Sequence, residues 1–280
     1  MNLIDGKLIS RQIKEDLKIE VKKLKEKGII PGLGIILVGN NTSSEIYVRN
    51  KLKVCEELGI NGKLFRFNEQ NTESEIIAKI KELNADPLID GILVQSPLPS
   101  CFSEEKIISY IDYHKDVDGF GVYNLGRLLS NDENIMAATP LGILKMLEYE
   151  LIDVSGKNVV MVGASLIVGR PMAIALLNRG ATVTIAHSLT TNLKEITSKA
   201  DILIVAIGQA KFITAEYIKD GAIVIDVGTN YIDNKLYGDV DFASVSKKAS
   251  LITPVPGGVG PMTIAMLLKN VIDASKKRGI

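Results

Sequence analysis

The segment SSEIYVRNKLKVCEELG, residues 43–59, places an aromatic ring and an amine four residues apart. At about 100° per residue, Tyr47, Val48, Leu52, Val54, Cys55 and Leu58 fall on one broad apolar face of a helix. Arg49, Asn50, Lys53, Glu56 and Glu57 fall on the other. Lys51 lies within the apolar arc, one turn after Tyr47, where side chains at i and i+4 meet. Burial there disfavours the charged lysine and makes its amine available as a proton acceptor near neutral pH. A structural reading competes: the stem lies along apolar surface while the ammonium reaches water at the rim. The pattern by itself leaves both open.

Three other stretches carry groups that a site could use. GILVQSPLPS ends an apolar run with Gln95 and then turns through Pro97 and Pro99, which aims a side-chain amide off a strand end. YHKDVDGFG carries Asp116 and Asp118 ahead of Gly119, and extended backbone would send both carboxylates to one side. Paired acids can hold a metal, but without other ligand types nearby a hydrogen-bonding role is favoured. Taken alone, each stretch reads as a turn before it reads as a site.

VVMVGASLIVGRPMAIALL, residues 159–177, sets a strand, a Gly-containing turn and a helix in succession. Small residues in such a turn let the backbone approach a pyrophosphate, and N–H groups at the helix start face its charge. The turn reads Gly163-Ala164-Ser165 with Gly169 further on, not the usual GxGxxG, so a simple tight connection competes. Where an acid would bind the adenine ribose of NAD, the next strand ends in His187 and Ser188; its absence, with Arg170 near the turn, favours NADP.

Composition sets the frame. The chain has 280 residues, enough for one large domain or two ordinary ones, and its 33 basic and 33 acidic residues cancel. No broad charge points to nucleic acid or an anionic membrane. The start shows no secretory signal, and no apolar run approaches the roughly 20 residues of a membrane span. Two cysteines, Cys55 and Cys101, and two histidines are scattered, which argues against zinc. The expectation is a cytoplasmic protein without metal, nucleic-acid or membrane partners.

These residues are carried by an α/β alternation. Apolar runs at 33–39, 62–67 and 90–96 read as strands, with helices over 7–27, 43–58 and 73–84. Thr42 to Glu45 fits a capping box, which starts the helix of Lys51 at the carboxyl edge of a parallel sheet. After a polar stretch at 130–140 and a helix at 141–150, further strands follow at 157–163, 181–186, 201–207, 222–228 and 250–255. The last helix covers 261–277. Two parallel-sheet βαβ domains with a cleft between them result, with 1–120 plus 261–280 as one, 121–140 as a connection and 141–260 as the other.

Taken in order, VGNNTSSEIYVRNKLKVCEELGI, GILVQSPLP, KDVDGFGVYNLGRL, TPLGILKML, GKNVVMVGASLIVGRPM, GAIVIDVGTN and TPVPGGVGPMT closely resemble the bifunctional methylenetetrahydrofolate dehydrogenase/cyclohydrolase family. The resemblance covers essentially the whole chain. It implies a Rossmann-type NADP-binding second domain, tetrahydrofolate derivatives as substrates and a homodimer. It also implies two reactions at one folate site: NADP-dependent oxidation of 5,10-methylenetetrahydrofolate to the methenyl form, then hydrolysis to 10-formyltetrahydrofolate.

Carried over by motif, Lys51 is the principal catalytic residue, Tyr47 lies on the pterin, and Gln95 hydrogen-bonds near Lys51. Asp118 would bind the amino-pyrimidinone edge, and the loop of Pro256, Gly257 and Gly258 would border the folate. The resemblance assigns Gly163, Ala164 and Ser165 to the phosphate turn, Ser188 to the 2′-phosphate region and Thr229 to the nicotinamide side. This chain departs from many members at Ser96, Ala138, Ala164 and Thr229; Ala164 stands where many carry an arginine. The rivals are a monofunctional methylenetetrahydrofolate dehydrogenase, a shikimate-type dehydrogenase and a non-catalytic dinucleotide-binding protein.

Overall fold

The computed structural model describes residues 3–132, 135–233 and 235–278, so Glu133 and Asn134 of the expected connection lie outside the described residues. The chain divides into two compact units. The catalytic-side unit comprises Gln12–Arg127, Glu133–Ala138 and Ile264–Ile280; the nucleotide-side unit comprises Met1–Arg11, Leu128–Asp132 and Thr139–Thr263.

The first stretch of chain forms α1 (Gly6–Glu26), β1 (Gly32–Val38), α2 (Thr42–Leu58), β2 (Asn61–Phe67), α3 (Glu73–Ala85), β3 (Gly91–Val94), α4 (Glu104–Ile108) and α5 (Val122–Leu129). The three strands make a parallel sheet in the order β2-β1-β3. β1 reads GLGIILV and is buried throughout, as a central strand covered on both faces must be. Ile36 and Val38 pack with Ile76, Ile80 and Leu83 of α3, so Ile35 and Leu37 face the other way. Each such side chain contributes about 1.5–3 kcal/mol by burial. From β1 the chain leaves through α2 to one side and returns through α3 to the other. Crossovers of the usual right hand put those helices on opposite faces and open a crevice at the carboxyl ends of β1 and β3.

The start of α2 corrects one expectation. Asn41, at φ −66° and ψ 118°, is the cap, and its side chain accepts from Ser44 N at 3.0 Å. Thr42 is already helical. Asn is at least as good a cap as Thr, and the Glu45 carboxylate is held instead by Arg66 of β2, so no box forms there. A full capping box does open α3, between Thr72 and Glu75.

The second stretch forms α6 (Ala138–Tyr149), β4 (Asn158–Val162), α7 (Gly169–Leu177), β5 (Thr182–Ala186), α8 (Leu193–Thr197), β6 (Ile202–Val205), β7 (Ile223–Asp226), β8 (Asn230–Ile232), β9 (Lys235–Tyr237), α9 (Phe242–Val245), β10 (Leu251–Ile252) and α10 (Val259–Ser275). Five parallel strands run in the order β10-β7-β6-β4-β5, and β8 and β9 form an antiparallel hairpin. Counted within the unit the order is 2-1-3-4-5, a doubly wound sheet whose switch point lies between β4 and β6. Val160, Val162, Leu203, Val205 and Val224 form its core.

The first eleven residues group with this unit, although 1–120 was assigned to the other half. The cause is local: Ile4 N donates to Ile252 O, and Lys7 N to Gly257 O, each at 3.0 Å. Among the described residues no helix is long and apolar enough to cross a membrane.

Candidate active site

Lys51 sits in the third turn of α2, over the carboxyl end of the first sheet. Val48, Cys55 and Leu58 carry the buried stripe of the helix, and Lys51 is half-buried beside it. Tyr47, one turn before Lys51 in the same helix, is 38 % exposed.

Gln95 follows β3 directly, and its main-chain N–H donates to Ile36 O at 2.9 Å, which extends the strand pairing by one residue. Its side chain is fixed at both ends. Lys51 Nζ donates to Gln95 Oε1 at 3.0 Å, and Gln95 Nε2 donates to Ser96 O at 2.7 Å. The amide oxygen is thus committed to the lysine. Glu104 pins the following loop through Ser96 Oγ at 2.6 Å and Leu98 N at 3.2 Å.

Burial holds the Lys51 pKa below the ordinary lysine value, and the nearby charge of Asp118 opposes that shift. Asp118 is pushed up to about 6, chiefly by desolvation; Lys51 pulls it down, and Asp116 and Glu104 push it up. The pair combines an amine whose pKa is lowered by burial with a carboxylate whose pKa is raised to about 6.

Asp116 and Asp118 have different partners, although the Asp116 charge is close enough to help raise the Asp118 pKa. Asp116 is buried and accepts from Gly119 N at 3.1 Å, Gly121 N at 2.8 Å and Asn124 Nδ2 at 2.9 Å. The loop turns at Gly119, with φ +72°, and the Asp116 carboxylate ties it together, while the charge of Lys51 acts on Asp118. Among the described residues no cluster of three or more His, Cys, Asp or Glu side chains could hold a metal ion.

In the nucleotide-side unit a cavity of about 660 Å³ opens at the switch point between β4 and β6. Gly163, Ala164, Ser165 and Ser188 line it; Thr229, after β7, does not. Gly163 has φ +116°, and a Cβ there would collide with the Ala206 carbonyl oxygen. A Cβ at Gly169 would collide with Gly163 O. Only glycine allows this backbone approach.

The N–H groups opening α7 are not free, contrary to the sequence reading. Ser165 Oγ accepts from Val168 N at 3.2 Å and Gly169 N at 3.3 Å, as a cap does. Arg170 folds back, its Nε donating to Ala164 O at 3.1 Å. His187 accepts from Leu189 N through Nδ1 at 3.2 Å, which leaves Nε2 to carry the proton of the neutral ring. None of the described side chains lining the cavity is acidic. The glycine-lined entry, the volume and the absence of lining acids fit a phosphorylated dinucleotide.

Pro256, Gly257 and Gly258 belong to the nucleotide-side unit, where their loop is tied to the start of α1 by Lys7 N and Gly257 O. Sequence reasoning missed Glu104 and the far wall of the cavity, Ala206, Ile207 and Gln209.

Comparison with known proteins shows the family and the fold. The family described as tetrahydrofolate dehydrogenase/cyclohydrolase, catalytic domain, matches residues 4–118, and its NAD(P)-binding domain matches residues 137–279. The bifunctional protein FolD of Agathobacter rectalis is 54 % identical over 277 residues, 99 % of each chain. The crystal structure of the bifunctional FolD of Campylobacter jejuni is 49 % identical with a TM-score of 0.98, covering 99 % of each chain. The Trypanosoma brucei dehydrogenase-cyclohydrolase, complexed with NADP cofactor and inhibitor, is 35 % identical with a TM-score of 0.94, covering 98 % of this chain and 97 % of that one.

Proposed function

The chain belongs to the tetrahydrofolate dehydrogenase/cyclohydrolase family, and from that premise we propose that it is a bifunctional enzyme. It oxidises 5,10-methylenetetrahydrofolate to the methenyl form with NADP and hydrolyses that cation to 10-formyltetrahydrofolate. The observation that carries this reading is the bond from Lys51 Nζ to Gln95 Oε1 beside Asp118. An amine of lowered pKa held in this way suits the proton transfers of the hydrolytic step.

When bound, NADP supplies the acceptor for the hydride that leaves the folate methylene carbon. The rest of the chemistry falls to side chains. Neutral Lys51 takes a proton from the water that adds to the amidinium carbon. The ammonium then returns a proton to the folate nitrogen as its bond to that carbon breaks, and one proton is released overall. Gln95 Oε1 holds the amine in place through both stages. Ionised Asp118 accepts from the amino-pyrimidinone edge, and the exposed ring of Tyr47 offers a stacking surface to the pterin. Pro256, Gly257 and Gly258 complete the substrate-binding set. Gly163, Ala164, Ser165 and Ser188 hold the cofactor phosphates, with Thr229 on the nicotinamide side.

The same reading includes a homodimer in the cytoplasm, supplying one-carbon units for purine, histidine and methionine synthesis; the resemblance to bifunctional relatives supports it. Lys51→Met tests the assignment. The variant is expected to fold, bind NADP+ as the parent does and lose about 10²–10⁴-fold in hydrolysis of methenyltetrahydrofolate. Hydrolysis at the parental rate would remove Lys51 from the mechanism.

A further inference from the structure

Behind the far wall of the cavity stands a carboxylate with 0 % exposure, Asp239. One of its oxygens accepts from Ile207 N at 2.6 Å and Gly208 N at 3.0 Å; the other accepts from Gln209 N at 2.8 Å and Asn230 Nδ2 at 2.9 Å. Four donors converging on two oxygens require an acceptor-only, ionised group. Ile207 and Gln209 line the cavity.

Asp239 is itself held. Its N–H donates to Asp226 Oδ1 at 2.9 Å, its carbonyl accepts from Ile213 N at 3.0 Å, and Val240 N donates to Asp226 Oδ2 at 3.0 Å. A Cβ at Gly228 would collide with the Asp239 carboxyl, and one at Gly238 with that of Asp226, so glycines let both strands close on the acids.

From this geometry the structure assigns Asp239 as a positioning residue for nucleotide binding: it fixes the turn at 206–209 as the wall that faces the Gly163 turn. The assignment rests on reading the cavity as the NADP site. Two consequences follow from the bonds themselves. The three consecutive N–H groups at 207–209 are committed to Asp239 and are not available to an anion. Ala206, whose carbonyl leaves no room for a Cβ on Gly163, is tied to β4 by its own N–H to Val162 O at 2.8 Å, and the Asp239 bonds fix the three residues that follow it.

Asp239→Asn replaces one acceptor by an amide N–H₂ that faces two donors. Calorimetric titration with NADP+ is expected to show binding weakened about tenfold or more, the scale on which buried hydrogen bonds are lost. A cooperative melt close to the parent's serves as the folding reference for the unit that holds Asp239, and the kcat and KM of methenyltetrahydrofolate hydrolysis without nucleotide should stay within about twofold. NADP+ affinity equal to the parent's in the folded variant would overturn the assignment, as would hydrolysis falling in proportion to affinity. A parent that binds no NADP+ would instead overturn the reading of the cavity. Should Asp239→Asn not fold, Asn230→Ala removes only the side-chain donor; about two- to fivefold weaker NADP+ binding supports the assignment and unchanged binding contradicts it.

Discussion

The tripeptide Asp-Val-Asp occurs once in each unit, at 116–118 and at 239–241. In both, the valine is buried in the core and the first aspartate is buried with its oxygens on backbone N–H groups and one asparagine amide. Reach separates them. Asp116 braces residues three to eight positions ahead in its own loop, whereas the backbone donors to Asp239 stand 30 to 32 positions earlier in the chain. The third residues also diverge: Asp118 faces a lysine, and Asp241 is the residue before α9. The same local device therefore stiffens a side-chain site in one unit and a backbone-walled cavity in the other.

Asp116→Asn is the sharpest way to break that comparison. It is expected to weaken folate binding about 10- to 100-fold, because a buried charge-assisted network is disrupted, while NADP+ affinity stays at the parental value. This mirrors the pattern expected for Asp239→Asn, and titration of both variants with both ligands checks it. Equal losses in all four titrations would mean that the two acids only stabilise the fold.

Asp118→Asn gives a smaller and pH-dependent effect. The Asp118 pKa is raised in the folded protein from 3.8 to about 6, so its contribution to stability is fully present below pH 3.8 and is lost as pH rises through about 6. Asparagine carries no such loss. The variant should melt about 2–4 °C above the parent at pH 7.5, with the difference shrinking toward pH 4, while its folate affinity at pH 7.5 falls about tenfold. A melting difference that does not vary with pH would show that ionised Asp118 is not held against a desolvation cost.

Much of this was legible from the chain, and the reasons for the rest are physical. The long elements carried their periodicity on the surface, and Lys51 stood out because an amine in an apolar arc violates the pattern around it. Gln95 and Asp118 lay at strand ends or before a glycine, where side chains are free to serve a site. The bracing role of Asp116 was not legible, because its partners Gly119, Gly121 and Asn124 come to it only once the loop turns at Gly119. The cap of α2 was misplaced by one residue, since Thr42 fits the local pattern while the demand of Arg66 on Glu45 comes from another strand. Short elements such as α4, α8 and α9 span too few residues to show a period. Asp239 was invisible for a different reason: its partners are distant in sequence, and only the repeat of Asp-Val-Asp hinted that it braces anything.

The most direct test follows the purified protein with 5,10-methylenetetrahydrofolate and either NADP+ or NAD+, separating the methenyl and 10-formyl products by chromatography over time. Methenyl product that forms faster with NADP+ and passes to 10-formyltetrahydrofolate faster than in buffer is the result expected of a bifunctional enzyme. Methenyl product that accumulates and disappears no faster than in buffer would contradict the account, and leave the lysine of α2 without its role.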